Sequence, residues 1–236
     1  AKPFGLFFLR VLRLIQSVVV NWGVGIIMLT LLTKVAMYPL MRKQMQSMKN
    51  MQRIQPMIKE LEPLKENQAK YQKELMALYK REKVNPASGC LPLLLTMPIF
   101  IALYVVIYIT PELRGAPFML WIEDLSQPDT LFSFHLPALN WVVRFNVLPL
   151  LNGAYTYFSA KKQVVDPKQA GMMQLMPLIF VFIFWNFPSG LVLYWLVQAI
   201  LGTVQQSVFN HLHAREQEKK NGASGPVAAR AKKAKK

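Results

Sequence analysis

VVVNWGVGIIMLTLLTKVAMYPL, residues 18–40, is apolar except for Asn21, Lys34 and small hydroxyls, and it runs straight into MRKQMQSMKN, residues 41–50, where charged and amide side chains take over. A helix rises about 1.5 Å per residue, so a run of this length is enough to cross a hydrocarbon core of about 30 Å. The stretch decides the class of the protein. It is a membrane span followed by a water-facing helix, and the rest of the chain repeats the contrast.

The composition agrees. The chain of 236 residues is 53% hydrophobic yet carries a net charge of +16, a combination that requires the two properties to be segregated along the sequence. Basic charge of this size fits nucleic acid, anionic lipid, or a membrane protein whose lysines collect on the cytoplasmic side. The placement of the charges chooses among them.

Working outward, residues 1–18 alternate apolar Phe4, Phe7, Phe8, Val11, Leu12 and Ile15 with Arg10 and Arg13, the spacing of an amphipathic interfacial helix. Residues 19–41 are the first span. Residues 42–84 hold eleven basic residues, five glutamates and apolar residues at helical spacing, such as Met45, Met48, Ile58, Leu61, Leu75 and Leu78. The pattern predicts a cytoplasmic helical hairpin turning near Pro63–Asn67. Further spans are predicted at 90–110, 141–160, 170–187 and 190–210, the last two separated by Pro188-Ser189-Gly190. Residues 111–140, with Trp121, Glu123, Asp124 and Asp129, read as an external interfacial loop. Residues 211–236 form a basic cytoplasmic tail with too little apolar surface to fold alone, which predicts disorder. The fold class is thus all-α: a polytopic membrane protein with five transmembrane helices, a cytoplasmic helical hairpin and an amphipathic interfacial helix.

Charge counting orients it. The hairpin, the loop with Lys161, Lys162 and Lys168, and the tail together hold 22 of the 28 basic residues, whereas 111–140 holds only Arg114 beside four acids. With five spans the three basic segments share one side. By the positive-inside bias that side is the cytoplasm, which leaves the amino terminus of this chain outside and the carboxyl terminus inside.

Several chemistries are disfavoured. A single cysteine, Cys90, and three histidines, His135, His211 and His213, form no ligand spacing for a metal. Ala87–Cys90 resembles a lipoprotein cleavage box but lies too deep in the chain. The chain starts at Ala1 without a signal-peptide pattern, and whether a segment precedes it stays open. No phosphate-cradling glycine loop and no nucleophile–base pair is present, so no catalytic residue and no cofactor is expected. No acid lies in a span, which argues against a proton-coupled pump.

Lys34 is the residue that asks for a reason, because a lysine at the centre of a span costs about 2.5–3.5 kcal/mol on insertion scales. It either snorkels to the cytoplasmic headgroups or faces a wet cavity, and spacing alone does not choose. Thr30, Lys34 and Tyr38 recur at helical spacing on one face. Other spans offer Asn152, Thr156 and Ser159, then Gln198 and Gln205. Met37, Met41, Met45 and Met48 form a flexible apolar stripe suited to packing or to varied partners; with Arg53 and Lys59 beside it, the hairpin is a candidate partner-binding element. Lys232, Lys233, Lys235 and Lys236 in the tail suit ribosomal RNA or anionic lipid equally well.

NPASGCLPLLLTMPIFIALY at residues 85–104, APFMLWIEDLSQPD at 116–129 and FPSGLVLYW at 187–195 resemble segments of YidC insertases, as do NWG at 21–23 and MYPL at 37–40. The resemblance runs in order over nearly the whole chain. It implies a hydrophilic groove enclosed by five helices, open to the cytoplasm and to lipid and closed to the outside. In the family a positive residue, usually arginine, precedes the MYPL-like motif; Lys34 stands there, keeping the charge but losing the guanidinium fork. The resemblance further implies that Thr30, Trp195 and Gln198 touch the client. Its partners would be nascent membrane protein clients, the ribosome, the Sec translocon, the signal recognition particle receptor and anionic lipids. The site would be the bacterial inner membrane. A small-solute transporter or channel is the alternative, though no internal repeat is visible; a membrane-anchored RNA-binding module leaves the polar faces of the spans unexplained.

Overall fold

The computed structural model describes residues 2–85, 91–136, 141–163 and 167–233. Within them the chain forms eight α-helices and one two-stranded antiparallel sheet. By its contacts it divides into a unit of residues 1–200 and a second of residues 201–236.

Helix α1 (Lys2–Gln16) is amphipathic as expected and buries Phe8, Leu9, Leu12 and Ile15 against α5 (Leu91–Ile109) and α2 (Trp22–Ala36). Phe7, placed on the buried side by the sequence pattern, is instead 59% exposed. Asn21 starts α2, its side-chain oxygen accepting from the amides of Gly23 and Val24 at 2.9 and 3.1 Å. Such a cap satisfies backbone donors that a first helical turn leaves orphaned.

The first span is not one straight helix to residue 41. Helix α2 stops at Ala36, and α3 (Tyr38–Glu60) leaves it at 67°. Pro39 explains the break, since it has no amide to donate and its ring collides with the carbonyl four residues back. Beyond α3 a 3-10 turn spans Glu62–Glu66. Asn67 then caps α4 (Gln68–Arg81) by accepting from the Lys70 amide. Lys83, with φ of 53°, follows the end of α4 in the left-handed region.

After α5, residues 110–129 fold into a compact loop cap. Gly115 at φ 67° and Leu120 at φ 57° make its left-handed turns. Backbone bonds from Phe118 to Ile122 and from Leu125 to Ala116 close it. Strands β1 (Thr130–Leu136) and β2 (Trp141–Asn146) follow, pairing Phe132 with Phe145 and Phe134 with Val143. The sheet corrects the all-α expectation, and it moves the start of the next helix from 141 to Val147. Hydropathy alone reads WVVRFN as the beginning of a span; the β-branched and aromatic alternation of TLFSFHL and WVVRFN makes strands of both.

Helix α6 (Val147–Gln163) packs on α7 (Pro167–Phe184). The approach is close enough that a Cβ on Gly153 would collide with Val181. Helix α8 (Ser189–Lys233) follows with its backbone helical well past Arg215, where disorder was expected. The flanks 216–220 and 228–233 consist of alanine, lysine, arginine, glutamate and glutamine, all strong helix formers, whereas Gly222, Gly225 and Pro226 between them are not. Of the tail lysines singled out in the sequence, Lys235 and Lys236 lie outside the described residues, as do Ala87–Cys90; the side chains of Lys232 and Lys233 are likewise outside the description.

By length and composition one described helix, Ser189–Glu216 within α8, passes as a membrane span unaided, and the bent α2–α3 pair passes as a second. Thr96–Ile109 and Leu175–Phe184 are shorter apolar helices.

Candidate functional site

The site is built from three levels along α2. At the loop-cap end, Asn21 donates to the Phe118 carbonyl at 2.8 Å, Ser189 donates through its amide to Gln127 at 2.7 Å, and Gly190 donates to Leu125 at 3.0 Å. The Ser189 hydroxyl donates to the Asp124 carbonyl at 2.8 Å. Asp129, 3% exposed, accepts from the Trp121 indole at 3.0 Å and from the Val147 amide at 2.9 Å, and so caps α6. The cap therefore ties together the ends of α2, α6 and α8.

Below it lies an apolar plug. Ile26, Leu29, Ile99, Leu103, Leu191, Val192 and Tyr194 are each at most 5% exposed. Gly190 is what lets these elements meet, since a Cβ there would lie 3.1 Å from the Leu125 carbonyl and 3.2 Å from Ile26. Beside the plug, Trp195 packs edge-on to Phe100 at 5.4 Å and against Phe180 and Phe184 at 5.6 and 5.2 Å.

The third level is polar. Thr33 and Lys34 of α2, Met37 at the bend, Met41 of α3, Thr96 and Ile99 of α5 and Gln198 of α8 line a narrow crevice of about 10 Å³, room for about one water. Lys34 is only 9% exposed. It makes no ion pair or hydrogen bond among the described residues, whose ion pairs are Arg13–Glu112, Arg53–Glu82, Lys65–Glu62 and Arg81–Glu82. The Gln198 side-chain oxygen is buried without a hydrogen-bond partner there too. A buried amide oxygen left unmatched is costly unless water or a ligand completes it; Lys34 is buried along its stem, and its ammonium is not one of the sealed, unpartnered atoms. The arrangement sets polar side chains around a small opening in an apolar bundle.

Lys34 belongs to the last turn of α2 rather than lying two turns inside a continuous helix. There the carbonyl-rich helix end favours a cation. Tyr38 lies beyond the bend and is 43% exposed, so the expected face of Thr30, Lys34 and Tyr38 is broken.

Of the other predicted site residues, Thr30 is fully buried with its hydroxyl donating to the Ile26 carbonyl at 2.7 Å. Thr156 bonds back to the Asn152 carbonyl at 2.7 Å, which leaves its hydroxyl occupied by its own helix. Asn152, 2% exposed, keeps an unpartnered side-chain oxygen. Both stand on α6 and neither lines the crevice around Lys34. Met37 and Met41 of the methionine stripe line it; Thr33 and Thr96 line it too and were not singled out, since threonines in spans so often bond to their own backbone that sequence gives them no distinguishing mark.

On the hairpin, Met45 and Ile54 are buried, Met48 is half-buried, and Lys59 is exposed. Arg53 pairs with Glu82 at 3.3 Å, linking α3 to the end of α4. Burial, and then the neighbouring Tyr71, push the Tyr79 phenol above its ordinary range.

The family model described as 60Kd inner membrane protein matches residues 14–217. The membrane protein insertase YidC of Psychromonas ingrahamii is 45% identical over 219 residues, covering 89% of this chain and 36% of the relative. That of Pelobacter propionicus is 46% identical over 215 residues, covering 90% of this chain and 38% of the relative. The chain thus spans little more than a third of these relatives' length. The crystal structure of an active YidC insertase with its first transmembrane domain resolved superposes with a TM-score of 0.68 at 29% identity, over 85% of this chain and 44% of that one. By sequence over most of its length and by fold, the chain belongs to the 60Kd inner membrane protein family, the family of the YidC insertases.

Proposed function

We propose that this chain is the insertase core of its family: it takes client transmembrane segments into the Lys34 crevice and releases them sideways into the bilayer, with no bond made or broken and no nucleotide required. The observation that carries the reading is the crevice itself, a buried and unpaired lysine beside an unpartnered glutamine, closed toward the loop cap by an apolar plug. A stable soluble core has no use for such a pair.

Five helices cross the membrane in this reading: α2 with the start of α3, α5, α6, α7 and the first part of α8. Helices α5, α6 and α7 have 19, 17 and 18 residues, about 26–28 Å at 1.5 Å per residue, so a locally thin bilayer accommodates them. Large apolar side chains exposed on them, such as Phe158 at 63% and Phe182 at 80%, then face lipid. The loop cap is external, and the α3–α4 hairpin and the tail are cytoplasmic.

A client enters from the cytoplasm with its polar or acidic flank toward Lys34 and Gln198, which replace part of the lost hydration. Its apolar helix then moves between the first and last spans onto lipid, driven by hydrophobic transfer. The hairpin receives clients or their targeting machinery, the signal recognition particle receptor and the Sec translocon among the candidates. The tail meets ribosomal RNA or anionic lipid. The test is a photo-crosslinker in place of Gln198 during synthesis of a single-span client: a crosslink to the nascent chain supports the reading, and its absence while a loop-cap position crosslinks would overturn it. A small-solute transporter predicts no such crosslink.

A further inference from the structure

The β1–β2 hairpin has a face that its own fold leaves uncovered. Directly paired residues of an antiparallel ladder point to the same side, and here the register pairs Phe132 with Phe145 and Phe134 with Val143, while Ser133 pairs with Arg144 and His135 with Val142. One side is aromatic and the other carries Ser133, His135 and Arg144, all exposed. Phe132, Phe134 and Phe145 remain 43%, 59% and 38% exposed. Among the described residues, the ring neighbours of Phe132 are only Phe145, stacked at 4.8 Å, and Phe134 at 5.1 Å.

A two-stranded hairpin is marginal in water and needs a surface for its apolar face. The base of this one is fixed at the end of α6: the Thr130 hydroxyl donates to Asn146 at 2.8 Å, Asp129 caps Val147, and β2 passes into α6 without an intervening residue. On α6 the apolar surface continues outward with Leu150 and Leu151 at 37% and 45% exposure. A ribbon of six or seven residues reaches about 20 Å from that base.

We infer that the hairpin lies on the bilayer with its Phe132–Phe134–Phe145 face in the headgroup region of the outer leaflet, as an interfacial anchor at the external end of α6. The occupant of the face is lipid, because the hairpin runs directly into a span that carries exposed Leu150 and Leu151, and aromatic side chains accumulate at that depth. The opposite face, with Arg144 and His135, stays in water. The inference rests on the proposed five-span topology.

Cys90 is the chain's one cysteine, so a Cys90→Ser background allows single environment-sensitive labels. The full chain would be reconstituted into vesicles whose lipids carry a spin label either near the headgroup or deep in the acyl chain. A fluorophore at Phe134→Cys should lose about half its emission to the shallow spin label, while one at Ser133→Cys or His135→Cys should be unaffected by it and be quenched by aqueous iodide. A fluorophore at Phe182→Cys should respond to the deep spin label. Quenching at Phe182 without quenching at Phe134 overturns the anchor and leaves the topology standing; no quenching at either overturns the topology with it. Protection of the Phe134 label from both lipid and iodide would mean a protein neighbour, and would also overturn the inference.

Discussion

The loop cap and the crevice are both polar regions of one helical bundle, and they treat their polar groups in opposite ways. In the cap, Asn21, Asp129, Asn146 and Ser189 each make named hydrogen bonds to other elements, several of them to backbone amides and carbonyls that would otherwise be orphaned. Its few unmet atoms are the Thr110 hydroxyl and one Asp129 oxygen. In the crevice, Lys34 and the Gln198 oxygen have no protein partner among the described residues. Satisfied polar networks rigidify a structure, whereas unsatisfied buried groups weaken it. The cap is therefore built for closure, and the crevice holds its binding capacity at some cost in stability. Substitutions in the first should be read in folding, and in the second in activity.

The largest loss of stability is expected for Asp129→Ala. It removes the helix cap of α6 and orphans the Trp121 indole and the Val147 amide together. At about 1 kcal/mol for the cap on Val147 and about 1–3 kcal/mol for the stranded indole, the loss is about 3 kcal/mol. Thermal unfolding in detergent should show a lower midpoint, with Asp129→Asn falling less because an acceptor remains. An unchanged midpoint would remove the distinction between the two regions.

Next comes Gly23, whose added Cβ would collide with the Phe118 ring. Gly23→Val must push the loop cap off α2, at a cost of about 1–3 kcal/mol for overpacking. Limited proteolysis in the 110–129 loop should quicken in step with the loss. If the midpoint falls but the loop stays protected, strain is absorbed elsewhere and the cap is not the rigid element described.

How much of this could be read from sequence follows the same division. The helix break at Glu62–Glu66 was legible because Pro63 acts locally, whereas the cap at Asn67 was not singled out. Lys34 was legible because a cation in an apolar run is conspicuous, although its helix ends at Ala36 through a proline three residues further on. The β-hairpin was missed because a hydropathy window averages over the alternation in TLFSFHL. The company Lys34 keeps was hidden for another reason. Thr33, Thr96 and Gln198 meet only through the packing of separate helices, and Asn152, equally polar in sequence, stands outside their crevice. Charge and punctuation are local signals; shared burial is not.

Smaller effects on folding belong to the cytoplasmic side. The Arg53–Glu82 pair is well exposed on the arginine side, at 65%, so Arg53→Ala should shift stability by no more than about 0.5 kcal/mol. Removing the chain from Arg215 onward should leave the midpoint of residues 1–200 unchanged while weakening ribosome binding and flattening its dependence on salt. Equal ribosome affinity and salt slope with and without the tail would assign those lysines to the lipid surface instead.

The least expected change in folding is at Lys34, and it should accompany the greatest change in activity. Lys34 is mostly buried with no acid to pair with among the described residues, so removing it takes away a partly desolvated charge and no ion pair; Lys34→Ala should leave the unfolding midpoint level or slightly raised. If the charge exists for the client, insertion of a client with an acidic translocated flank should fall about tenfold in Lys34→Ala, a difference of about 1.4 kcal/mol in partitioning. It should fall further in Lys34→Glu, where like charges repel. Lys34→Arg keeps charge and reach and should retain insertion. A client whose flank has been neutralised should barely distinguish the four proteins, because the crevice then offers it only amide and hydroxyl groups. Reconstituted insertion assays with the paired clients measure this directly. A lysine that merely snorkels predicts equal insertion of the acidic client by all four, and that result would detach the crevice from function while leaving the cap's role in folding untouched.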